Sequence, residues 1–293
     1  MRMVRIATVS FLVDETPHTI ELNLQRSLDY MTEAARRGAD IVCLPENVIT
    51  TNVEEGERSF AESFPGEITS AFCERAKDAG LHVIAPYAVS ENGRTYGQAT
   101  VISREGKVTG YYRKTHLTGV EAQTLVPGDE LPLFHMDFGT IAVQLCLDMY
   151  FPEIVRVYTA KGAEVVFWPT VTHGPTQEAL SIQLRARAVD NSVIMVESNL
   201  AGHPPYAPYE GRYYPGTARI VDDNGDVLAQ TGRRHGVAVA DVDLDAVRLT
   251  KGCVLLRHPD HMREDILRVA RMDLFAREYA RIASGKKNEK DHE

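Results

Sequence analysis

Apolar and polar positions along this chain follow two different periods, and the period switches repeatedly. Val4–Ser10 reads as a buried strand. Ile20, Leu24, Leu28, Met31 and Ala35 then recur at helical spacing, and Gly38 closes that helix. Ile41–Leu44 reads as a short buried strand, and Phe72, Ala76 and Ala79 mark a second helix stopped by Gly80. His82–Ser90 and Thr95–Ser103 are strands joined by Glu91-Asn92-Gly93-Arg94, a hairpin signal. Arg104-Glu105-Gly106-Lys107 turns the chain into a strand over Val108–Lys114. Further strands are predicted at Thr140–Leu145, Val165–Trp168, Val193–Asn199 and Gly236–Val242, and helices at Ile154–Lys161 and Gln177–Asp190. Thr217–Val221 and Val227–Thr231 form a hairpin around Asp223-Asn224-Gly225. Helices interleaved with strand pairs imply a layered α/β fold with mixed sheets, in an order the pattern leaves open.

Chemistry-bearing residues stand where predicted strands end. Cys146 follows Thr140–Leu145, and Pro152-Glu153 beyond it suit the first turn of a helix. A thiol at such a strand-to-helix elbow is exposed at the sheet edge, and the helix start is expected to lower its pKa toward the thiolate. A free Cys is more often a small buried hydrophobe, so this signal is weak by itself. Glu46 follows the apolar strand in Ile41-Val42-Cys43-Leu44-Pro45-Glu46-Asn47, where desolvation raises a carboxyl pKa and makes it a better base. Lys114 ends Tyr111-Tyr112-Arg113-Lys114 and can offer a fixed cation to an oxyanion. Solvated surface positions are the plain reading of both.

Taken together and in this order, the three residues make the chain resemble the nitrilase superfamily of carbon–nitrogen hydrolases. The matching segments are Leu44-Pro45-Glu46, Tyr112-Arg113-Lys114-Thr115-His116-Leu117, Pro127-Gly128-Asp129, Cys146-Leu147-Asp148 with Phe151-Pro152-Glu153, Arg185-Ala186-Arg187-Ala188-Val189-Asp190-Asn191 and Val239-Ala240-Asp241-Val242-Asp243-Leu244. The likeness runs from about Val4 to about Leu249. It implies a four-layer αββα sandwich with two sheets face to face, and a catalytic triad of Glu46, Lys114 and Cys146. A second glutamate between the Lys and the Cys is common in that family, and Glu121 is the matching candidate. The implied reaction forms a thioester on Cys146, with Glu46 moving the proton and Lys114, with a backbone N–H near Leu147, holding the oxyanion. Glu121 would orient the substrate nitrogen or hold Lys114. No cofactor and no metal is implied. A Cys–His pairing with His116 or His173 is the competing arrangement, and it leaves Glu46 and Lys114 unexplained.

Composition agrees with an ordinary globular enzyme. The chain has 293 residues, 44% hydrophobic and 25% charged, enough for one large α/β domain. A net charge of −9 argues against non-specific nucleic-acid binding. No apolar run is long enough to span a membrane, and the N-terminus enters a strand directly. The cysteines at 43, 73, 146 and 253 show no metal-like spacing, so reduced thiols in the cytoplasm are expected, with Cys43, Cys73 and Cys253 in the core. The expected organisation is a catalytic domain over residues 1–257, a helical arm over 258–284 and a disordered polar tail over 285–293. In the arm, Leu267, Ala270, Leu274 and Tyr279 fall roughly on one face, which packs either on its own domain or on a partner subunit. The partners expected are a small amide or N-carbamoyl substrate and a second copy of the chain, as a dimer or higher oligomer.

Substrate preference is the thinnest part of the reading. Nitrile-cleaving members of the resembled family typically carry Trp-Glu after the Cys, and Leu147-Asp148 here favours an amidase or carbamoyl-hydrolase branch. Tyr150 stands where many amidase-type members carry a basic residue. Thr170–Gln177, with Thr170 and His173, and Ala201–Gly216, with Tyr206, Tyr209, Arg212, Tyr213 and Tyr214, are candidate specificity loops. Arg212 pairs either with a substrate carboxylate or with one of the protein's own. Arg185 and Arg187 read as ion-pair partners within their helix. A catalytically silent scaffold and a nitrile hydrolase are the alternatives.

Overall fold

Alternation along a strand sorts the apolar side chains of this chain into three separate layers. The first strand, β1 (Met3–Val13), sends Val4 and Ile6 to one side and Ala7, Val9, Phe11 and Val13 to the other. The computed structural model describes residues 1–172, 174, 177–202, 213–246 and 270–284. It divides into two compact units, Met1–Val247 and Arg248–Glu293.

In the first unit the elements run α1 (Ile20–Arg36), β2 (Ile41–Cys43), β3 (Glu62–Ser63), α2 (Glu67–Ala79), β4 (His82–Glu91), β5 (Arg94–Ile102), β6 (Val108–Arg113), β7 (Phe134–His135) and β8 (Thr140–Val143). They continue with α3 (Pro152–Lys161), β9 (Val165–Pro169), α4 (Gln177–Asn191), β10 (Ile194–Gly202), β11 (Tyr214–Pro215), β12 (Arg219–Val221), β13 (Val227–Gln230) and β14 (Gly236–Asp243). The predicted hairpin is β4–β5, turning through Asn92 and Gly93 at positive φ of 52° and 71°. The short strands β3, β7 and β11 carry too few residues to show a period.

One sheet has the order β6-β5-β4-β2-β1, closed by β14 against β1. The other runs β7-β8-β9-β10, then β12 and β13. Strand β10 joins them: Ile194–Ser198 pair with β9, whereas Asn199–Gly202 pair with the end of β1. Helices α1 and α2 cover the outer face of the first sheet with Met31, Ala34, Phe72 and Ala76. Helices α3 and α4 cover the second with Val155, Tyr158, Leu180 and Leu184. Between the sheets lie Ile6, Ile41, Ile84, Ile141, Val143, Val165 and Phe167, all fully buried. The layers are therefore helix, sheet, sheet, helix, as the resemblance implied.

Helix α1 differs from its predicted stripe in one way that matters for the site. Its buried residues include Asn23 and Ser27. The Asn23 amide donates to Ile49 O and Thr51 O, each at 2.8 Å, and so pins the loop that follows Glu46. A buried amide with both donors satisfied is a directional tie that an apolar side chain cannot make.

In the second unit, α5 (Met272–Ala283) carries Phe275, Tyr279 and Ile282 on its exposed surface. Leu267 of the predicted arm, Cys253, and the tail over 285–293 lie outside the described residues.

Candidate active site

Parallel strands deliver several reactive groups to one edge of the sandwich. Strands β8, β9, β10, β1, β2 and β4 run parallel, and β6, two antiparallel steps from β4, points the same way. Their carboxyl ends coincide, so Glu46 after β2, Lys114 after β6, Cys146 after β8 and Thr170 after β9 share an edge.

Lys114 is the centre of the arrangement. Its Nζ donates to Glu46 Oε1 at 2.8 Å and to Glu121 Oε1 at 2.5 Å. The lysine is 1% exposed and Glu46 5%, against the surface positions that isolated Lys and Glu usually take. The strand end carrying Lys114 is held on both sides, by Lys114 N donating to Gly97 O and Gly128 N donating to Lys114 O. A Cβ at residue 128 would lie 2.4 Å from Arg113 O, so only glycine lets the Pro127-Gly128-Asp129 segment approach this closely. Glu121 is fixed in turn by the Thr118 N–H, which donates to Oε2 at 2.8 Å.

Cys146 opens a short 3-10 turn, Cys146–Tyr150, with φ of 40°. Left-handed backbone at a non-glycine residue costs about 1–3 kcal/mol and persists where the surroundings over-determine it. Here the indole Nε1 of buried Trp168 donates to Cys146 O at 2.9 Å. The residue is partly exposed, and its sulfur lies 3.9 Å from Val171 O and within reach of the Glu46 and Thr170 side chains.

The charges oppose a resting thiolate, which corrects one expectation. Burial pushes the Cys146 thiol up to about 12; the Glu46 carboxylate adds to the rise, against Lys114, Thr170 and a backbone hydrogen bond at Val171. The first turn of α3 begins only at Pro152, beyond the 3-10 turn, so a helix start does not govern the thiol. Glu46 is raised by burial and by Glu121, against the pull of Lys114. Burial opposes the charge on Lys114, yet Glu46, Cys146 and Glu121 outweigh it and the pKa rises. Glu121 is raised by burial but lowered further by Lys114, and falls. A thiolate here would be a third anion beside one ammonium. Proton transfer from sulfur to Glu46 is the route that avoids adding charge.

The remaining candidates divide between the reactive edge and other parts of the fold. Thr170 is fully buried at the thiol, Leu147 is half-buried, and Tyr150 is 50% exposed. His173, Arg212 and most of the Ala201–Gly216 loop lie outside the described residues. His116 places Nδ1 2.8 Å from Asp148 Oδ1 and stacks on Phe151, contacts that lead away from a Cys–His pair. Arg185 donates to Gly225 O at 2.7 Å and Arg187 reaches Met149 O at 3.5 Å, with the Asp190 and Glu153 charges acting on Arg187. In the sequence pattern Asp148 figures only as part of the Cys146-Leu147-Asp148 segment, with no task at the site given to its carboxylate. In the fold it is fully buried between the lysine's loop and the thiol's turn.

The family model for carbon-nitrogen hydrolases matches residues 6–252. The omega-amidase NIT2 of Xenopus tropicalis is 32% identical over 84% of this chain and 90% of its own length. The deaminated glutathione amidase of Synechocystis is 29% identical over 77% of this chain and 88% of its own. Among solved structures, an amidase from Nesterenkonia sp. AN1 in complex with acrylamide superposes with a TM-score of 0.78 at 22% identity, covering 94% of this chain and 97% of that one. That likeness bears on the fold.

Proposed function

The chain belongs to the carbon–nitrogen hydrolase family and is a hydrolase of amide C–N bonds; from that premise we propose that it works through a thioester on Cys146 and takes the terminal amide of a small carboxylated compound. The observation that carries the mechanism is a buried Lys114 bonded at once to Glu46 and Glu121 beside the thiol.

Each step uses a group at that edge. As sulfur attacks the amide carbon, Glu46 takes the thiol proton, which its raised pKa suits it to do. The oxyanion collects between the Lys114 ammonium and the backbone N–H of Leu147. Glu46 returns the proton to nitrogen, ammonia leaves, and the acyl group remains on sulfur. Water then attacks the thioester and gives its proton to Glu46. The carboxylic acid departs and the proton returns to Cys146. Glu121 keeps the ammonium aimed, because its charge is spent on Lys114.

The substrate class rests on the curated relatives whose names specify ω-amide cleavage. Arg212 is the residue the sequence offers for the carboxylate. Leu147-Asp148 after the Cys, together with those relatives, disfavours the nitrile alternative and a silent scaffold. N-carbamoyl amino acids are the second substrate class to test. Intact-mass analysis after mixing with half-amides of dicarboxylic acids, neutral amides, N-carbamoyl amino acids and nitriles, with ammonia detection alongside, checks the proposal. The expected result is an acyl adduct on Cys146 formed fastest from half-amides. No adduct and no ammonia from any amide would remove it.

We further propose a homo-oligomer in the cytoplasm. Exposed Phe275, Tyr279 and Ile282 on α5 support the first, and free Cys43, Cys73 and Cys146 the second. A monomer by sedimentation at micromolar concentration would count against the assembly. Among the described residues no helix is long and apolar enough to cross a membrane.

A further inference from the structure

Lys114 and Cys146 belong to different sheets. β6 ends the first sheet and β8 lies in the second, and the layer between them at mid-strand is apolar. Apolar contact is non-directional and tolerates small slides of one sheet on the other. A reaction that needs an ammonium and a thiol in fixed relation does not: misplacement by about 1 Å can cost about 100-fold in rate. The β10 link joins the sheets at β1, several strands from β6, so something directional must also join the loops that follow β6 and β8.

Asp148 is placed to do this. It sits two residues beyond Cys146 and is fully buried. Its Oδ1 accepts from Thr115 Oγ1 at 3.0 Å, from the His116 backbone N–H at 3.1 Å and from His116 Nδ1 at 2.8 Å. Its Oδ2 accepts from Tyr112 OH at 2.7 Å and from the Leu145 backbone N–H at 2.8 Å. The donors from residues 112, 115 and 116 bracket Lys114 in the chain, and Leu145 immediately precedes the thiol. The His116 ring also stacks on Phe151, with centroids 3.6 Å apart, tying the lysine's loop to the far end of the thiol's turn. A buried carboxylate with this many donors is both compensated for its desolvation and held in one position.

We propose that Asp148 is a positioning residue, which sets the separation of the Lys114 ammonium and the Cys146 thiol by clamping one loop of each sheet. The role rests on the reading of Glu46, Lys114 and Cys146 as the reacting set. Asp148 touches neither substrate nor sulfur in this role; it acts through the two loops.

The test is Asp148→Asn, alone and combined with Lys114→Ala. The substitution keeps the shape and loses the charge and half of the accepting capacity. The expected result is a fall in kcat of about 100-fold with KM changed by less than about threefold, because alignment and not binding is lost. In the Lys114→Ala background the further loss should shrink to less than about threefold, since there is no ammonium left to align. A purely structural role would instead lower the unfolding midpoint with kcat of the folded enzyme unchanged, or cost the same factor in both backgrounds; either result overturns the proposal. Should Asp148→Asn not fold, Thr115→Val and Tyr112→Phe each remove one donor, and a loss of kcat of about tenfold with the same dependence on Lys114 is expected. Unchanged kcat in both would overturn the proposal too. Intact mass of the unaltered enzyme runs in parallel. A wild-type thioester with an unimpaired Asp148→Asn removes the positioning role alone, whereas no wild-type thioester removes the reaction reading and this role with it.

Discussion

The same strands are buried at both ends, yet the two ends behave as different materials. At mid-strand, Ile6, Ile41, Ile84, Ile141 and Phe167 fill the space between the sheets. Each contributes about 1.5–3 kcal/mol by leaving water, and each is one neighbour among many. A few residues along, at the carboxyl ends, the same depth holds Glu46, Lys114 and Asp148. There each group costs free energy to bury, and that cost is offset only by a particular partner at a particular distance. The apolar end supplies cohesion. The polar end supplies a fixed geometry, in which burial and the Glu46 carboxylate raise the pKa of the thiol.

The sharpest break of the comparison is Cys146→Ala, for which turnover should vanish while the unfolding transition stays close to that of the parent. Residual hydrolysis above background in a sensitive ammonia assay would remove the nucleophile from the site.

Next in size are Glu46→Gln and Lys114→Ala, each expected to lower kcat by at least about 100-fold, typical for a lost base or oxyanion donor. Lys114→Ala should also destabilise by about 3–5 kcal/mol, because Glu46 and Glu121 are left buried without their cation. The sign of its pH dependence follows from that. Both carboxyls then have folded pKa values raised above the unfolded ones, so the stability they contribute is present at low pH and lost as pH rises through the raised values. Urea unfolding across pH 5 to 8 checks this window, and a Lys114→Ala deficit that shrinks toward high pH would contradict it.

Ile141→Ala probes the other end of the strand that carries the thiol. It should cost about 2–5 kcal/mol in urea unfolding and leave kcat of the folded enzyme within about twofold. A large loss of kcat at preserved stability would mean that the apolar layer positions the site as well as holding it.

Smallest is Glu121→Gln. The Glu121 charge contributes to the raised pKa of Glu46, so its removal should move the acid limb of the kcat/KM profile to lower pH, by less than about one unit. An unmoved limb, or one shifted upward, would detach that limb from Glu46.

Much of this architecture is legible in the chain itself. The strand-to-loop positions of Glu46, Lys114 and Cys146, the Asn92-Gly93 turn, the Gly80 stop and the Pro152 helix start all follow from local backbone preference and hydrophobic period, which need only neighbouring residues. The short strands β3 and β7 fall below the length at which a period can be seen. Asn23 and Ser27 escape the pattern because a polar residue on a helix looks solvated until the loop that receives its hydrogen bonds is in place. The same limit explains the thiol. A sequence places Cys146 near a helix start, and the local rule then lowers its pKa. What raises it is burial together with Glu46, a residue a hundred positions earlier in the chain that only the folded sheets bring alongside. Residue types and strand ends were thus set by the sequence itself, because they depend on local periodicity. The raised pKa of the thiol, the partners of Lys114 and the hydrogen bonds of Asp148 were decided by the tertiary structure, because Coulomb energy, desolvation and hydrogen bonding depend on distance through space.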